Sequence, residues 1–175
     1  RWAEGLIYLP LIVPQIAFLP GVYVALLSAG FRPGLASAVW AHALFVFPYV
    51  MLSLSDPWRA LDKHQLSVAA SLGAGPWRRL WSVKLPLLTI PLATAAAIGF
   101  AVSVALYLPA VFAGGGRVAT LTTEAVTASS GSDSRVQGVY ASRQMILPFL
   151  VYVIAIVVPR MVFRSRRDML GGAVI

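Results

Sequence analysis

Four long apolar runs, separated by short polar or basic stretches, organise this chain: residues 5–27, 35–54, 87–112 and 145–163. A bilayer core about 30 Å thick takes roughly 20 apolar residues of helix, so each run is long enough, or nearly so, to cross it. The pattern predicts an all-α membrane protein, with about four transmembrane helices bundled into a single domain over residues 1–175. Pro10, Pro14 and Pro20 fall inside the first run and should kink it. In lipid the freed carbonyls need partners on neighbouring helices or water, so this helix belongs inside a bundle. The turn at 28–34 is short, which makes the first two helices antiparallel neighbours. The third run places Ala93, Ala97, Ala101 and Ala105 at every fourth position, with Ala95, Gly99 and Ser103 on an adjoining face. Small residues at that spacing let backbones approach closely, so this run reads as the central helix.

Composition agrees: 59% of residues are hydrophobic and only 11% charged, with a mean hydropathy of +0.81. A soluble domain would carry about 25% charged residues. No cysteine is present, which removes disulfides, thiolate metal sites and cysteine nucleophiles. A net charge of +8 could suggest nucleic acid, but the basic residues sit between and after the apolar runs, as membrane insertion arranges them. If 55–86 and both ends face the cytoplasm, that side holds ten basic residues: Arg1, Arg59, Lys63, Arg78, Arg79, Lys84, Arg160, Arg164, Arg166 and Arg167. The outer side holds four, Arg32, Arg117, Arg135 and Arg143, so lysine and arginine bias sets that orientation. The outer loop, 113–143, is rich in Gly, Ser and Thr and carries Glu124 and Asp133; its length predicts a lid or partner surface. The first residue is Arg1, from which upstream helices are expected.

The cytoplasmic loop, 55–86, is the most informative segment. Asp56-Pro57 reads as a helix start, followed by Leu61, Val68, Ala69 and Leu72 on one face and Asp62, Lys63, His64 and Ser67 on the other. Gly73-Ala74-Gly75-Pro76 should break that helix and begin a second, with Trp77, Leu80, Trp81 and Leu85 sharing a face. The product is a helical elbow, apolar on one side and basic on the other. Amphipathicity alone fits an elbow lying in the headgroup layer, anchored by tryptophans. The spacing adds more. Ser67-Val68-Ala69, three residues, Gly73, nine residues, then Val83-Lys84-Leu85-Pro86 resembles the EAA loop of ABC importer permeases: Glu-Ala-Ala, three residues, Gly, nine residues, Ile, any residue, Leu-Pro. Ser67 stands where that family usually has Glu, and Val68 where it has Ala.

The resemblance covers most of the chain and is nearest the thiamine, iron and sulfate-like branch, through Ala69-Ala70-Ser71-Leu72-Gly73 and the stretch from Arg117 to Glu124. It implies a multi-pass permease of a bacterial inner membrane whose elbow, centred on Ser67, Val68, Ala69, Gly73, Ala74, Val83, Leu85 and Pro86, sits in a cleft of a separate ATPase subunit. It also implies an extracytoplasmic solute-binding protein and a second permease module, from a homodimer, a heterodimer or a duplicated half of one chain. ATP and Mg would be bound by the partner. The chain itself lacks a G-x-x-x-x-G-K-[ST] loop, and Gly114-Gly115-Gly116-Arg117 has neither the Lys nor the hydroxyl that cradle phosphate.

Polar residues within the apolar runs are candidates for the transport path. His42 is ionisable within a span, and Gln15 follows Pro14 in a kinked helix. Ser103 and Tyr107 fall one turn apart if the third run is one helix. Each could equally satisfy a helix contact. Two readings of other classes stand beside transport: an intramembrane hydrolase pairing His42 with a serine, and a structural membrane anchor.

Overall fold

The computed structural model describes residues 2–61, 63–131 and 134–162. Arg1, Asp62, Asp133, Arg164, Arg166 and Arg167 lie outside the described residues. Those described form helices and connecting turns, with no strand among them. In chain order the α-helices are α1 (Trp2–Ile12), α2 (Gln15–Ser28), α3 (Leu35–Arg59), α4 (Lys63–Ser71), α5 (Pro76–Arg79), α6 (Leu85–Leu87), α7 (Thr89–Ala105), α8 (Leu108–Gly114), α9 (Leu121–Ser129) and α10 (Ser134–Val162). A π-helical turn, Leu80–Lys84, joins α5 to α6.

The four predicted runs appear in three different conditions. α3 and α10 are uninterrupted and apolar enough to cross a membrane, whereas α7 continues from the Pro76–Leu87 segment through a 72° bend. The first run is broken once, at Val13-Pro14, where Pro14 takes extended backbone at φ −54° and ψ 130°. Pro10 and Pro20 stay within helices, so one proline breaks the run and two are absorbed. Pro14 accepts at its carbonyl from Ala17 and Phe18 and starts α2, a position where a missing N–H costs nothing.

α7 is the central helix, packed on α3 along one side and on α10 along the other. Ala95 and Ala97 are 1% exposed, and Gly99 is buried. A Cβ built on Gly99 would stand 2.7 Å from Val50 Cγ2 and 3.2 Å from Val46 Cγ1. The face that carries Gly99, with Ala95 one turn back, therefore meets Val46 and Val50 of α3, as close helix packing in a bilayer requires.

Beyond Ala105 the third run departs from the expected straight helix. Leu106 becomes extended, with ψ 111°, and α8 sets off in a new direction against α2 and α3. Two features explain the break. Pro109 has no N–H for the Ala105 carbonyl, and Leu106 inserts into the core formed by Leu19 and Phe45. Phe18 meets Phe45 edge to face at 5.9 Å, closing that core. The α8 end is tied back to the α2–α3 turn by a hydrogen bond from the Gly34 N–H to the Ala113 carbonyl, 3.1 Å.

The segment 113–143, expected as an outer loop, is largely helical among its described residues. α9 packs on α10 and α7, and α10 begins at Ser134, well before the predicted start at Met145. Asp56-Pro57 likewise starts no helix. α3 runs through both residues to Arg59, and the Ala60 N–H donates to the Asp56 carbonyl at 2.9 Å. A proline so near a helix end removes only one hydrogen bond, which an established helix of this length tolerates.

Candidate functional site

The elbow from α4 to α6 is assembled by three local devices. The first ends α4. Gly73 has φ +79°, its N–H donates to the Ala70 carbonyl at 3.0 Å, and the Ala74 N–H donates to the Ala69 carbonyl at 3.0 Å. This is a Schellman cap, in which the residue after the helix takes the left-handed conformation and two orphan carbonyls are satisfied. The family spacing from Ala69 to Gly73 thus has a backbone reason: the helix must stop and reverse there. The second device is Gly75-Pro76, where Gly75 is extended (φ −64°, ψ 167°) and Pro76 occupies the first helical position of α5.

The third device is Leu85-Pro86. Pro86 cannot donate to the carbonyl four residues back, and the helix widens to a π turn in which the Leu85 N–H bonds the Leu80 carbonyl. Thr89 Oγ1 reaches both the Leu85 and Pro86 carbonyls at 3.0 Å, satisfying the backbone where the chain bends by 72° into α7. The second arm of the elbow, Pro76–Leu87, therefore leads into the central helix through a single 72° bend.

The π turn also changes which side chains share a face. Leu80 and Leu85, five residues apart, are both half-buried, while Trp77 and Trp81 are 73% and 65% exposed. The expected division into an apolar and a basic side is corrected accordingly. Arg78 points outward, but Arg79 and Lys84 turn inward, with Lys84 Nζ 5.0 Å from the centroid of the Trp58 ring on α3. On α4, Val68 is 44% and Leu72 82% exposed, and Ser67 is exposed beside them. Ala69, Ala74, Val83 and Pro86 are half-buried in the elbow itself. Val68, Leu72, Trp77 and Trp81 form an uncovered apolar crest on both arms of the elbow.

The four transport-path candidates are scattered. Gln15 is the first residue of α2, half-buried just after the Pro14 break. His42 is half-buried on α3, and its Nδ1 pairs with the Ala38 carbonyl one turn back at 2.8 Å. Ser103 is half-buried in the last turn of α7, but Tyr107 lies past the Leu106 break at the start of α8. The two do not stack one turn apart, because the helix that would have stacked them ends at Ala105.

One polar cluster had no signal of its own in the sequence. Thr122, 6% exposed on α9, donates its hydroxyl to the Val104 carbonyl, which the break after α7 leaves without its helical partner. Gln144 Nε2 of α10 donates to Thr122 Oγ1 at 3.3 Å, joining three helices near the C-terminal end of α7. Thr120 and Thr123 form a capping box that fixes α9, and Glu124 follows in its first turn. The available hints were a proline four residues past Ala105 and a run of threonines. Thr122→Val keeps the shape and removes the donor. It should cost about 1–3 kcal/mol, read as a lower thermal midpoint in detergent, with Thr122→Ser restoring most of it.

Comparison with known proteins follows this geometry. The family model described as binding-protein-dependent transport system inner membrane component matches residues 1–171. The chain is 33% identical over 163 residues, 93% of its length, to the inner membrane ABC transporter permease protein YnjC of Escherichia coli K12, of which it covers 32%. It is 36% identical over 66 residues to the molybdenum transport system permease protein ModB of Azotobacter vinelandii, covering 38% of this chain and 29% of that one. It is 24% identical over 102 residues to the spermidine/putrescine transport system permease protein PotC of Escherichia coli K12, 58% of this chain and 39% of that one. The chain thus spans about a third of the length of these curated relatives. No solved structure matches it significantly. With nearly every residue matched to that family model, and bent, small-residue helices of the kind a membrane bundle needs, the chain belongs to the binding-protein-dependent transport system inner membrane component family.

Proposed function

We propose that this chain is a transmembrane module of an ATP-driven importer, passing a small solute delivered by an extracytoplasmic binding protein. Its elbow, 67–86, docks on a separate ATPase subunit that binds ATP and Mg. A second permease module completes the pathway. The elbow and the C-terminus face the cytoplasm in this reading, supported by the ten-to-four division of basic residues. The single observation that carries it is the apolar crest of Val68, Leu72, Trp77 and Trp81, exposed on a loop that is rigidly capped and continuous with the central helix. Exposed apolar surface on a structured loop marks an interaction surface. A bent rod with one end held by a partner can carry that partner's movement into the bundle.

Gln15, His42, Ser103 and Tyr107 remain the proposed polar positions of the path. No substrate is assigned: the relatives' names concern molybdenum in one case and spermidine or putrescine in another, ions of different chemistry.

Leu72→Asp tests the docking. The side chain is 82% exposed, so the change spares the fold while placing a charge in the crest. Affinity purification of the full-length protein from native membranes in mild detergent should recover an ATPase subunit with the wild type and roughly tenfold less with the variant, the effect of losing one central apolar contact. Equal recovery from both, or no ATPase with either, would remove the elbow from this role.

A further inference from the structure

Trp58 stands in the last turn of α3, 43% exposed, and Lys84 closes the π turn of the elbow with its Nζ 5.0 Å from the centroid of that ring. The π geometry decides which way Lys84 turns. Arg79 and Lys84, five residues apart, line one small cavity of about 170 Å³ together with Leu66 and Pro76, whereas five residues of regular α-helix would turn them about 140° apart. The segment 63–87 carries Lys63, Arg78, Arg79 and Lys84 and no Asp or Glu. The elbow therefore holds no carboxylate for Lys84, and Arg79 beside it repels its charge. The face of the Trp58 ring, negative by its quadrupole, is the partner that Lys84 takes. That ring also borders a separate cavity, about 310 Å³, with Ile7 and Tyr8 of α1, which leaves it room to follow the ammonium.

We infer that Lys84 and Trp58 are a positioning pair that sets the angle of the elbow against the membrane helices. The second arm of the elbow meets α7 through the 72° bend, and α7 in turn packs on α3. A bend alone does not fix the direction in which that arm points. Lys84 lies one helical turn before the bend, where its carbonyl accepts from the Leu88 N–H at 3.0 Å, so its contact with α3 closes a triangle of arm, α7 and α3. The contact also has a suitable strength. A cation over an aromatic face shifts a population several-fold, not by orders of magnitude, and the breadth of the ring lets the ammonium slide without leaving it. A joint that tilts and returns with each cycle of a partner needs such a contact, whereas a buried ion pair is costly to break and would hold it shut. The position of the elbow follows from this geometry alone; its effect on uptake rests on the elbow docking an ATPase.

The test uses the full-length protein in lipid nanodiscs, spin-labelled at Ser71→Cys on the far end of α4 and at Ser142→Cys on α10, both exposed positions in a chain with no cysteine of its own. Double electron–electron resonance then reads where the elbow stands. The wild type should show one dominant distance. Lys84→Met and Trp58→Leu should each raise the displaced population roughly fivefold, the size of one cation–π contact, and the two together should go no further than either alone. Lys84→Arg and Trp58→Phe keep a cation and a ring face and should stay near the wild type. Uptake by cells carrying the unlabelled variants should fall in the same order, while the purified complex still hydrolyses ATP. A wild-type distance in Lys84→Met, single effects that simply add in the double variant, no rescue by Lys84→Arg, or full uptake with a displaced elbow would each overturn the inference. Failure of the docking reading shows separately, as no ATPase copurifying with the wild type, and the distances still decide whether Lys84 and Trp58 position the elbow.

Discussion

Replacing Gly99 by leucine is expected to lower the thermal midpoint of the detergent-solubilised protein by roughly 10 °C, taking about 3 kcal/mol of overpacking at a few degrees per kcal/mol. Even a single Cβ there would stand 2.7 Å from Val50 Cγ2 and 3.2 Å from Val46 Cγ1. Neither valine can swing away cheaply, because β-branching on a helix leaves one strongly preferred χ1. The remaining route is to push α7 off α3, the contact on which the bundle is centred. In lipid no hydrophobic force compensates, since tails solvate the separated faces as well as a neighbouring helix does. Gly21→Leu is the control: nothing lies within 4 Å of its added Cβ. Fluorescence-detected size exclusion after heating reads both. A Gly99 variant as stable as the Gly21 variant would mean that α3 and α7 do not approach as closely as this packing requires.

The Gly99 contact was visible in the sequence as a stripe, because close helix approach has few solutions and all of them use small residues at fourth positions. The ends of the helices were harder to read, for a reason that particular residues make plain. Pro10, Pro14, Pro20, Pro57 and Pro109 look alike in a sequence, yet Pro14 and Pro109 accompany chain breaks while the other three sit inside helices or near an end. What decides is tertiary. At Pro109 the break is stabilised by Leu106 filling the space between Leu19 and Phe45 and by the Thr122 hydroxyl capping the Val104 carbonyl. Neither partner is within helical reach along the chain, so local patterning could not find them. The same limit applies to α10, whose first turns are polar enough to read as loop yet are helical from Ser134.

The elbow was more legible than the path. Its signals are backbone signals: Gly73 for a left-handed residue, Pro76 for a helix start, Pro86 for a missing donor. Such requirements act within a few residues and survive into sequence spacing. The two that misled, Asp56-Pro57 as a start and a basic face opposite the tryptophans, failed because a long helix overrode a local cap and because the π turn shifted the facing by one residue. Gln15, His42, Ser103 and Tyr107, by contrast, were grouped only by polarity. Where a polar side chain lies relative to a pathway depends on helix rotation, and His42 illustrates how a span can satisfy one internally, through the Ala38 carbonyl.

Substitutions at Gly73 should separate what the elbow's backbone does from what its surface does. Gly73→Val is expected to abolish coupled uptake, at least tenfold below wild type, because φ +79° is strongly strained for a β-branched residue and the carbonyls of Ala69 and Ala70 would lose their partners when the cap unwinds. Gly73→Asn should keep much of the activity, since asparagine tolerates the left-handed region. Gly73→Asp shares that tolerance but sets a carboxylate beside Leu72, at the edge of the apolar crest, and is expected to fall with valine and not with asparagine. Nothing lies within 4 Å of the added Cβ, so all three variants should insert and accumulate normally. Uptake of the cognate solute by cells carrying each variant, set against ATPase activity of the purified complex, gives the readout. ATP hydrolysis persisting with the aspartate variant while uptake is lost would mark an elbow that has come loose from its partner. If valine and asparagine support equal uptake, the left-handed cap is not what the elbow needs, and its coupling role would have to rest on the exposed crest alone.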